Sequence, residues 1–302
     1  MQSPRRREAR DMAGPSRADA KLAIVIVSFN AKADLERCLR SLYEAPPSTP
    51  HETVVFDNAS SDGSAEAAAR WPRVRVLRSE RNLGFAAGTN AGIRATSGPL
   101  VLLLNSDTIV PPGAIDALVG DLAVREREGV VAVGPRLVNA DGRPELSFGS
   151  MVGPLVELRQ KAIGRGYARG RRWAARYVER WTSIAHETDW VSAACMLVRR
   201  DAAAVAGLFD ERYFMYLEDV DFFAALRRRG GRIRFTPAAE IVHLRGRSGV
   251  GRPRAVNAAY RRSQLAFYEK HLPRWARLLR LYLRVRRQAP DQRTNQTGSP
   301  GT

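Results

Sequence analysis

Cysteine is nearly absent from this chain: Cys38 and Cys195 are the whole complement in 302 residues. Neither stands in a spacing that suits a metal or a redox pair, which argues against a disulfide framework and fits a reducing, cytosolic compartment. Long apolar runs are missing too. The most apolar stretches, Leu22 to Phe29 and Leu100 to Leu104, fall far short of the roughly 20 residues a membrane-spanning helix needs. Arg5, Arg6 and Arg7 are followed by no apolar segment, so they do not open a secretory signal. Acidic residues are scarce beside basic ones: 31 Asp and Glu against 49 Lys and Arg leave a net charge of +18. Such a field favours anionic partners, whether nucleic acid, anionic lipid or a phosphorylated substrate. No zinc-finger, helix-turn-helix or RNA-recognition signature accompanies it, so nucleic acid is not an expected partner, and a basic nucleic-acid-binding protein without catalysis stands only as the alternative that the charge permits.

What is present is alternation. LAIVIVSF (Leu22 to Phe29), ETVVFD (Glu52 to Asp57), VRVLRS (Val74 to Ser79) and PLVLLL (Pro99 to Leu104) read as strands. Helical patterns stand between or after them at Asp34 to Tyr43, Ser64 to Arg70, Ala86 to Ala95 and Gly113 to Glu128. This order predicts an α/β fold, a mostly parallel sheet flanked by helices on both faces. Further on, Trp190 to Arg199 reads as a strand, Asp219 to Arg229 as a helix, and Arg232 to Thr236 with Glu240 to Leu244 as strand segments. Residues 1–20 read as a disordered basic tail, 21–252 as the α/β domain, 253–288 as a helical extension broken at Pro273, and 289–302 as a second disordered tail. Within the domain, residues 152–186 are dense in arginine (Arg159, Arg165, Arg169, Arg171, Arg172, Arg176, Arg180) and read as a mobile or membrane-facing insertion.

In open α/β sheets ligands bind at the carboxyl ends of the strands. Polar residues cluster there: Ser28 with Asn30, Asp57 with Asn58, and Asn105 with Ser106 and Asp107. Asp57 closes its strand and can accept hydrogen bonds from a base N–H; Asn58 to Ser64 suit a ligand loop or a capped turn equally. RNLGFAAGTNAGI (Arg81 to Ile93) leads a loop into a helix, where Gly84 and Gly88 permit close backbone approach and the helix start attracts phosphate. Arg81, Asn82 and Asn90 are candidate contacts of that ligand, although Arg81 and Asn90 read equally as a surface charge and a packing residue. In LLLNSDT (Leu102 to Thr108), Asp107 flanked by oxygen donors suits Mg²⁺ or Mn²⁺, with other ligands from water and a substrate diphosphate. Glu218, Asp219 and Asp221 crowd beside Tyr213, Phe214 and Tyr216. Repulsion and desolvation there raise a carboxylate toward general-base work, while a helix's first turn by itself favours one acid. His243 ends a strand ahead of Arg245, Arg247, Ser248 and Gly249. It reads as a metal ligand or a structural residue, and the arginines can clamp a diphosphate.

Taken in order, VSFN, DNASSDGS, NLGFAAGTNAGI, LLLNSDT, GLFDERYFMYLEDVDF and the late strand-end His243 resemble family 2 inverting glycosyltransferases with a GT-A (Rossmann-like) fold. The similarity is to the bacterial rhamnosyltransferase-like branch and runs from Leu22 to Gly249. It implies that Ser28, Asn30 and Asp57 hold the nucleotide base, that Asn105 and Asp107 meet ribose and metal, and that Asp219 is the catalytic base, with Glu218 beside it. The family's Asp-x-Asp pattern reads Asn105-Ser106-Asp107 here, which leaves one carboxylate and raises the importance of His243 as a second ligand. The implied reaction is inverting transfer from a nucleotide-diphospho-sugar, by analogy dTDP-L-rhamnose, to a saccharide or polyprenyl-linked acceptor at the cytoplasmic face of a membrane. A nucleotidyltransferase would also join such a sheet to metal and nucleotide, but AIVIVSFNAKADL lacks the Gly-rich, basic phosphate loop expected of one. From Arg274 to Arg287, Trp275, Leu278, Leu279, Tyr282 and Val285 share one helical face with arginines mostly opposite. That stripe reads as a peripheral anchor on anionic lipid or as a face packed on the domain.

Overall fold

A computed structural model describes residues 21–244 and 253–286. The first half alternates as the apolar runs dictate: β1 (Leu22–Ser28), α1 (Lys32–Glu44), β2 (His51–Asp57), α2 (Ser64–Ala69), β3 (Val74–Arg78), α3 (Phe85–Arg94) and β4 (Leu100–Asn105). There follow β5 (Thr108–Ile109), α4 (Ala114–Arg125), β6 (Val130–Val138), β7 (Pro144–Glu145) and β8 (Phe148–Gly149). The second half holds α5 (Pro154–Ala168), α6 (Arg172–Thr182), β9 (His186–Thr188), β10 (Trp190–Val191), β11 (Cys195–Arg199), α7 (Arg200–Ala206), α8 (Glu218–Arg228) and β12 (Arg232–His243). Two helices, α9 (Pro253–His271) and α10 (Pro273–Val285), close the described chain.

The main sheet runs β3-β2-β1-β4-β11-β6-β12-β5. β3, β2, β1 and β4 are mutually parallel, β11 lies antiparallel to β4 and β6, and β12 is parallel to β6. β1 has no polar face because both of its faces are covered. Ile24 and Ile26 pack with Leu35, Leu39 and Leu118 of α1 and α4, while Val25 points to Ile93, Phe222 and Phe223 of α3 and α8.

Three expectations change. The run Trp190 to Arg199 is two strands, because residues 192–194 leave the ladder. Ser192 N–H donates to Ser147 O at 2.7 Å, Ala193 N–H to Asp219 Oδ2 at 3.3 Å, and Ala194 O accepts from Asn105 N–H at 2.9 Å. Arg232 to His243 is one strand, with a register irregularity between Thr236 and Glu240 in place of a break. Residues 152–186 form a packed helical hairpin. Buried Glu157 accepts from Lys161 Nζ at 2.9 Å, Gln264 Nε2 at 2.7 Å and Tyr268 OH at 2.9 Å, which fastens α5 to α9. α6 buries Ala174 and Val178, and the arginines that dominate the composition here lie on the solvent side.

The apolar residues of α10 divide. Ala276 and Leu283 are buried and Leu279 packs beside Val152 and Tyr268, whereas Trp275, Leu278, Leu281, Tyr282 and Val285 are exposed. Leu279 therefore belongs to the packed side of the helix rather than to the stripe shared with Trp275. Truncating the fully buried Leu283 to Ala is expected to cost on the order of 2–5 kcal/mol, so α10 is held to the body by its own core. No described helix is long and apolar enough to cross a membrane. Residues 1–20, 245–252 and 287–302, which include both predicted tails, lie outside the described residues.

Candidate active site

Ser28 and Asp57 close neighbouring strands as register partners. Both are buried, and among the described residues Ser28 Oγ and Asp57 Oδ1 have no hydrogen-bond partner. Asp57 Oδ2 accepts from Ser60 N–H at 3.0 Å. Buried polar atoms are ordinarily paired, so two orphans side by side at a sheet edge are suited to the polar rim of a ligand. Asn30, in the left-handed region at φ 48°, ties the loops together. Its Oδ1 accepts from Ser61 N–H at 2.8 Å and its N–H donates to Ser60 Oγ at 2.9 Å.

Other predicted contacts have architectural duties. Asn58 Oδ1 accepts from Leu83 N–H at 2.7 Å and its Nδ2 donates to Gly84 O at 3.0 Å. Asn82 Oδ1 accepts from Gly84 N–H at 2.9 Å. Gly84 has φ 86°, and a Cβ there would run into the carbonyl oxygen of Phe214, which accepts from Phe85 N–H at 2.8 Å. The glycine is thus required by the approach of one protein loop to another, where the sequence suggested a phosphate. Asn90 is buried and clamps the same distant segment: Nδ2 donates to Phe209 O at 2.9 Å and Glu211 Oε1 at 2.8 Å, and Oδ1 accepts from Phe209 N–H at 3.0 Å. Of the two readings open for Asn90, packing is the one its hydrogen bonds fit. Arg81 is exposed in the loop between β3 and α3.

The β5–β12 pairing carries His243 to Asp107. His243 is the register partner of Thr108, and Leu244 N–H donates to Asp107 O at 2.8 Å. His243 Nε2 lies 3.3 Å from Asp107 Oδ1, and Nδ1 lies 3.4 Å from Glu145 Oε2. Burial disfavours the imidazolium, but the two carboxylates outweigh it and raise His243 to about 9. Glu145 carries no signal in the sequence; the hairpin before β7 delivers it. Among the described residues no group of three or more His, Cys, Asp and Glu forms a metal cage. Asp107 and, once an arriving cation displaces its proton, His243 can offer two ligands beside waters and diphosphate oxygens. Ser106 is buried and Asn105 half-buried beside them. Arg245, with the rest of its loop, lies outside the described residues.

The backbone entering α8 is strained: Tyr216 and Leu217 have φ 72° and 63°, conformations that cost non-glycine residues about 1–3 kcal/mol each and gather at functional sites. Glu218 and Asp219 follow. Asp219 Oδ2 accepts from Ala193 N–H and Oδ1 from Val220 N–H at 2.8 Å. Buried Glu218 leaves Oε2 without a partner. Burial raises the pKa of both carboxyls, and the neighbouring Asp219 charge raises Glu218 further. Asp221 is different. Its Oδ1 lies 2.6 Å from His271 Nε2 and accepts from Tyr213 OH at 3.3 Å, and its Oδ2 accepts from Lys270 Nζ at 2.8 Å. Burial works against its ionisation, yet these bonds prevail and hold it below the usual carboxylate range. The acidic trio thus divides into an ionised anchor and a desolvated pair. That pair and the end of β4 share one support, since Ala193 binds Asp219 and Ala194 binds Asn105.

A half-parallel sheet that gathers its polar residues at the ends of β1, β2 and β4 and faces them with a carboxylate-bearing helix has the GT-A glycosyltransferase architecture. The chain belongs to glycosyl transferase family 2, whose profile matches residues 23–204. It is 33% identical over 277 residues to N-acetylglucosaminyl-diphospho-decaprenol L-rhamnosyltransferase of Mycobacterium tuberculosis (strain CDC 1551 / Oshkosh), covering 87% of this chain and 89% of that protein. GalNAc-T7, solved with UDP, GalNAc and Mn²⁺, shares the fold at a TM-score of 0.58 and 16% identity over 82% of this chain and 48% of that one. The mannosyltransferase PcManGT of Pyrobaculum calidifontis, with GDP-Man and Mn²⁺, does so at 0.56 and 17% over 90% and 73%. The family match ends before Asp219 and His243, so their assignment rests on motif and geometry.

Proposed function

We propose that the protein transfers a sugar, with inversion, from a nucleotide-diphospho-sugar to a hydroxyl of a lipid-linked saccharide. The observation that carries this reading is one linked set at the carboxyl ends of neighbouring strands: the Ser28 and Asp57 atoms left unpaired among the described residues, the Asp107–His243 pair just beyond β4, and the desolvated Glu218–Asp219 pair tied to β4 through residues 193–194. Ser28 and Asp57 hold the polar edge of the base, and Asn105 and Ser106 meet the ribose side. Asp107 and His243 would hold Mg²⁺ or Mn²⁺, which when bound supplies positive charge to the departing diphosphate. Asp219, its basicity raised by burial, accepts the proton of the acceptor hydroxyl as that oxygen attacks the anomeric carbon from the face opposite the leaving group. Holding both substrates side by side supplies much of the remaining acceleration. The name of the mycobacterial relative points to a polyprenyl-diphosphate-linked acceptor and an L-rhamnosyl donor, for which dTDP-L-rhamnose is the first candidate. A panel of nucleotide sugars with a synthetic polyprenyl-diphosphate acceptor tests this; transfer from a UDP-hexose alone would exclude the rhamnosyl donor.

Glu145 braces the other nitrogen of His243, and removing such a partner typically weakens metal binding about 10–100-fold. Glu145→Gln is therefore expected to weaken Mn²⁺ binding by that factor in titrations with a nucleoside diphosphate present. Unchanged Mn²⁺ affinity would reduce Glu145 to a packing role.

The exposed side of α10 fits a peripheral place on an anionic, cytoplasmic membrane face. Trp275, Leu278, Leu281, Tyr282 and Val285 stand among exposed Arg274, Arg277, Arg284 and Arg286, with no acidic residue in the helix. Each arginine contributes about 1 kcal/mol near an anionic surface. Full-length protein should co-sediment with phosphatidylglycerol vesicles. The triple variant Trp275→Ser, Leu278→Ser, Tyr282→Ser, which changes only exposed side chains, should not. Equal binding by both would reject the assignment.

A further inference from the structure

We infer that α9 is a positioning brace for the catalytic carboxylates, holding residues 210–221 along their length and fixing where Asp219 sits; this rests on Asp219 being the base. The contacts come from one face of α9, at positions three or four apart. The Tyr260 ring meets the Tyr216 ring edge-on at 6.1 Å between centroids. Ser263 Oγ donates to Met215 O at 2.7 Å. Phe267 is buried with Tyr213 and Val220. Lys270 Nζ spans Asp210 Oδ2 and Asp221 Oδ2, each at 2.8 Å, and His271 Nε2 meets Asp221 Oδ1 at 2.6 Å. The start of the segment, its middle and the first turn of α8 are each gripped.

Such a grip is what the strained backbone calls for. Leu208, Tyr216 and Leu217 all hold positive φ, which persists only where the surroundings over-determine it. α3 supplies one side through Asn90 and Phe85; α9 supplies the other. Asp221 lies on the same helical turn as Asp219, so fixing its two oxygens also fixes the rotation of that turn. None of these α9 groups touches the paired oxygens of Asp219, which makes them positioning residues.

The test compares full-length Ser263→Ala and Asp221→Asn with wild type, under saturating acceptor, alongside Asp219→Asn. Misplacing a catalytic group by about 1 Å costs roughly 10²-fold. The expected result is a fall in kcat of about 10-fold for Ser263→Ala and about 10²-fold for Asp221→Asn, with donor KM and nucleoside diphosphate affinity near wild type. Ser263→Thr, which keeps the hydroxyl, should restore turnover. Ser263→Ala removes a single hydrogen bond and keeps the proposal testable even if Asp221→Asn fails to fold. Wild-type kcat in both brace variants, with only a lowered Tm, overturns the brace while leaving the base assignment intact. A parallel loss of kcat and donor affinity also overturns it, because that signals collapse of the site. Turnover retained by Asp219→Asn overturns the base assignment, and the brace with it.

Discussion

Asp219→Asn should fold, bind nucleotide sugar and lose about 10²–10⁴-fold in kcat, the usual contribution of a general base. The amide keeps the shape of the carboxylate but cannot take the acceptor's proton. It also offers one acceptor oxygen where Asp219 uses two, toward Ala193 N–H and Val220 N–H. A stability loss of about 1 kcal/mol is therefore expected, too small to explain the kinetic loss. Equilibrium binding of the donor, measured beside single-turnover rates, separates the two effects. In the wild-type enzyme the base must be ionised to act. Burial raises Asp219 and Glu218, so activity should climb with pH through a midpoint above the ordinary aspartate value of about 4. Near-normal turnover in Asp219→Asn would move the role to Glu218. Asp221 is no substitute, because His271 and Lys270 hold it below the usual carboxylate range and make it a weaker base.

Asp107→Asn should be nearly as damaging. A bound cation stabilises the departing diphosphate by several kcal/mol, so losing it costs on the order of 10³-fold in rate. Asp107 is the one carboxylate in its motif, and the nearest imidazole lies 3.3 Å from it. On the proposed site, substitution removes a metal ligand and one of the two acids beside His243. Mn²⁺ titration with a nucleoside diphosphate present should show the affinity loss directly, and His243→Ala should weaken it as well. Full wild-type activity in excess chelator would remove the metal from the scheme; unchanged Mn²⁺ affinity in His243→Ala would return that residue to a structural role.

The parallel half of the sheet was legible because β1 and β4 are buried on both faces and so read as unbroken apolar runs ending in Ser28 and Asn105. Asp57, Asp107 and Asp219 stand out by position: Asp57 closes β2, Asp107 lies two residues beyond β4, and Asp219 follows Tyr213, Phe214 and Tyr216. What the sequence could not show is pairing at a distance. Nothing near Glu145 hints that it reaches His243, and nothing in Ser-Ala-Ala at 192–194 hints that the backbone turns aside to serve Asp219. Asn90 has the composition of a ligand contact, and only its hydrogen bonds to Phe209 and Glu211 reveal a clamp. The α5–α6 hairpin was misleading in another way. Each helix buries a narrow stripe (Ile163; Ala174 and Val178), so solvent-facing arginines set its composition. In α10 the period alone grouped Leu279 with Trp275, although tertiary packing separates them.

The grip of α9 on residues 210–221 has a consequence for how the enzyme comes into being. Synthesis delivers β1 to β4 first, with their parallel crossovers, so the segments bearing Ser28, Asp57 and, just past β4, Asp107 emerge early. β12, which slots beside β6 and brings His243, arrives far later, and Lys270 and His271 later still. Synthesis runs from the N-terminus, and contacts distant in sequence form slowly. On the proposed roles, the residues assigned to the nucleotide therefore leave the ribosome well before those that hold the assigned base in place.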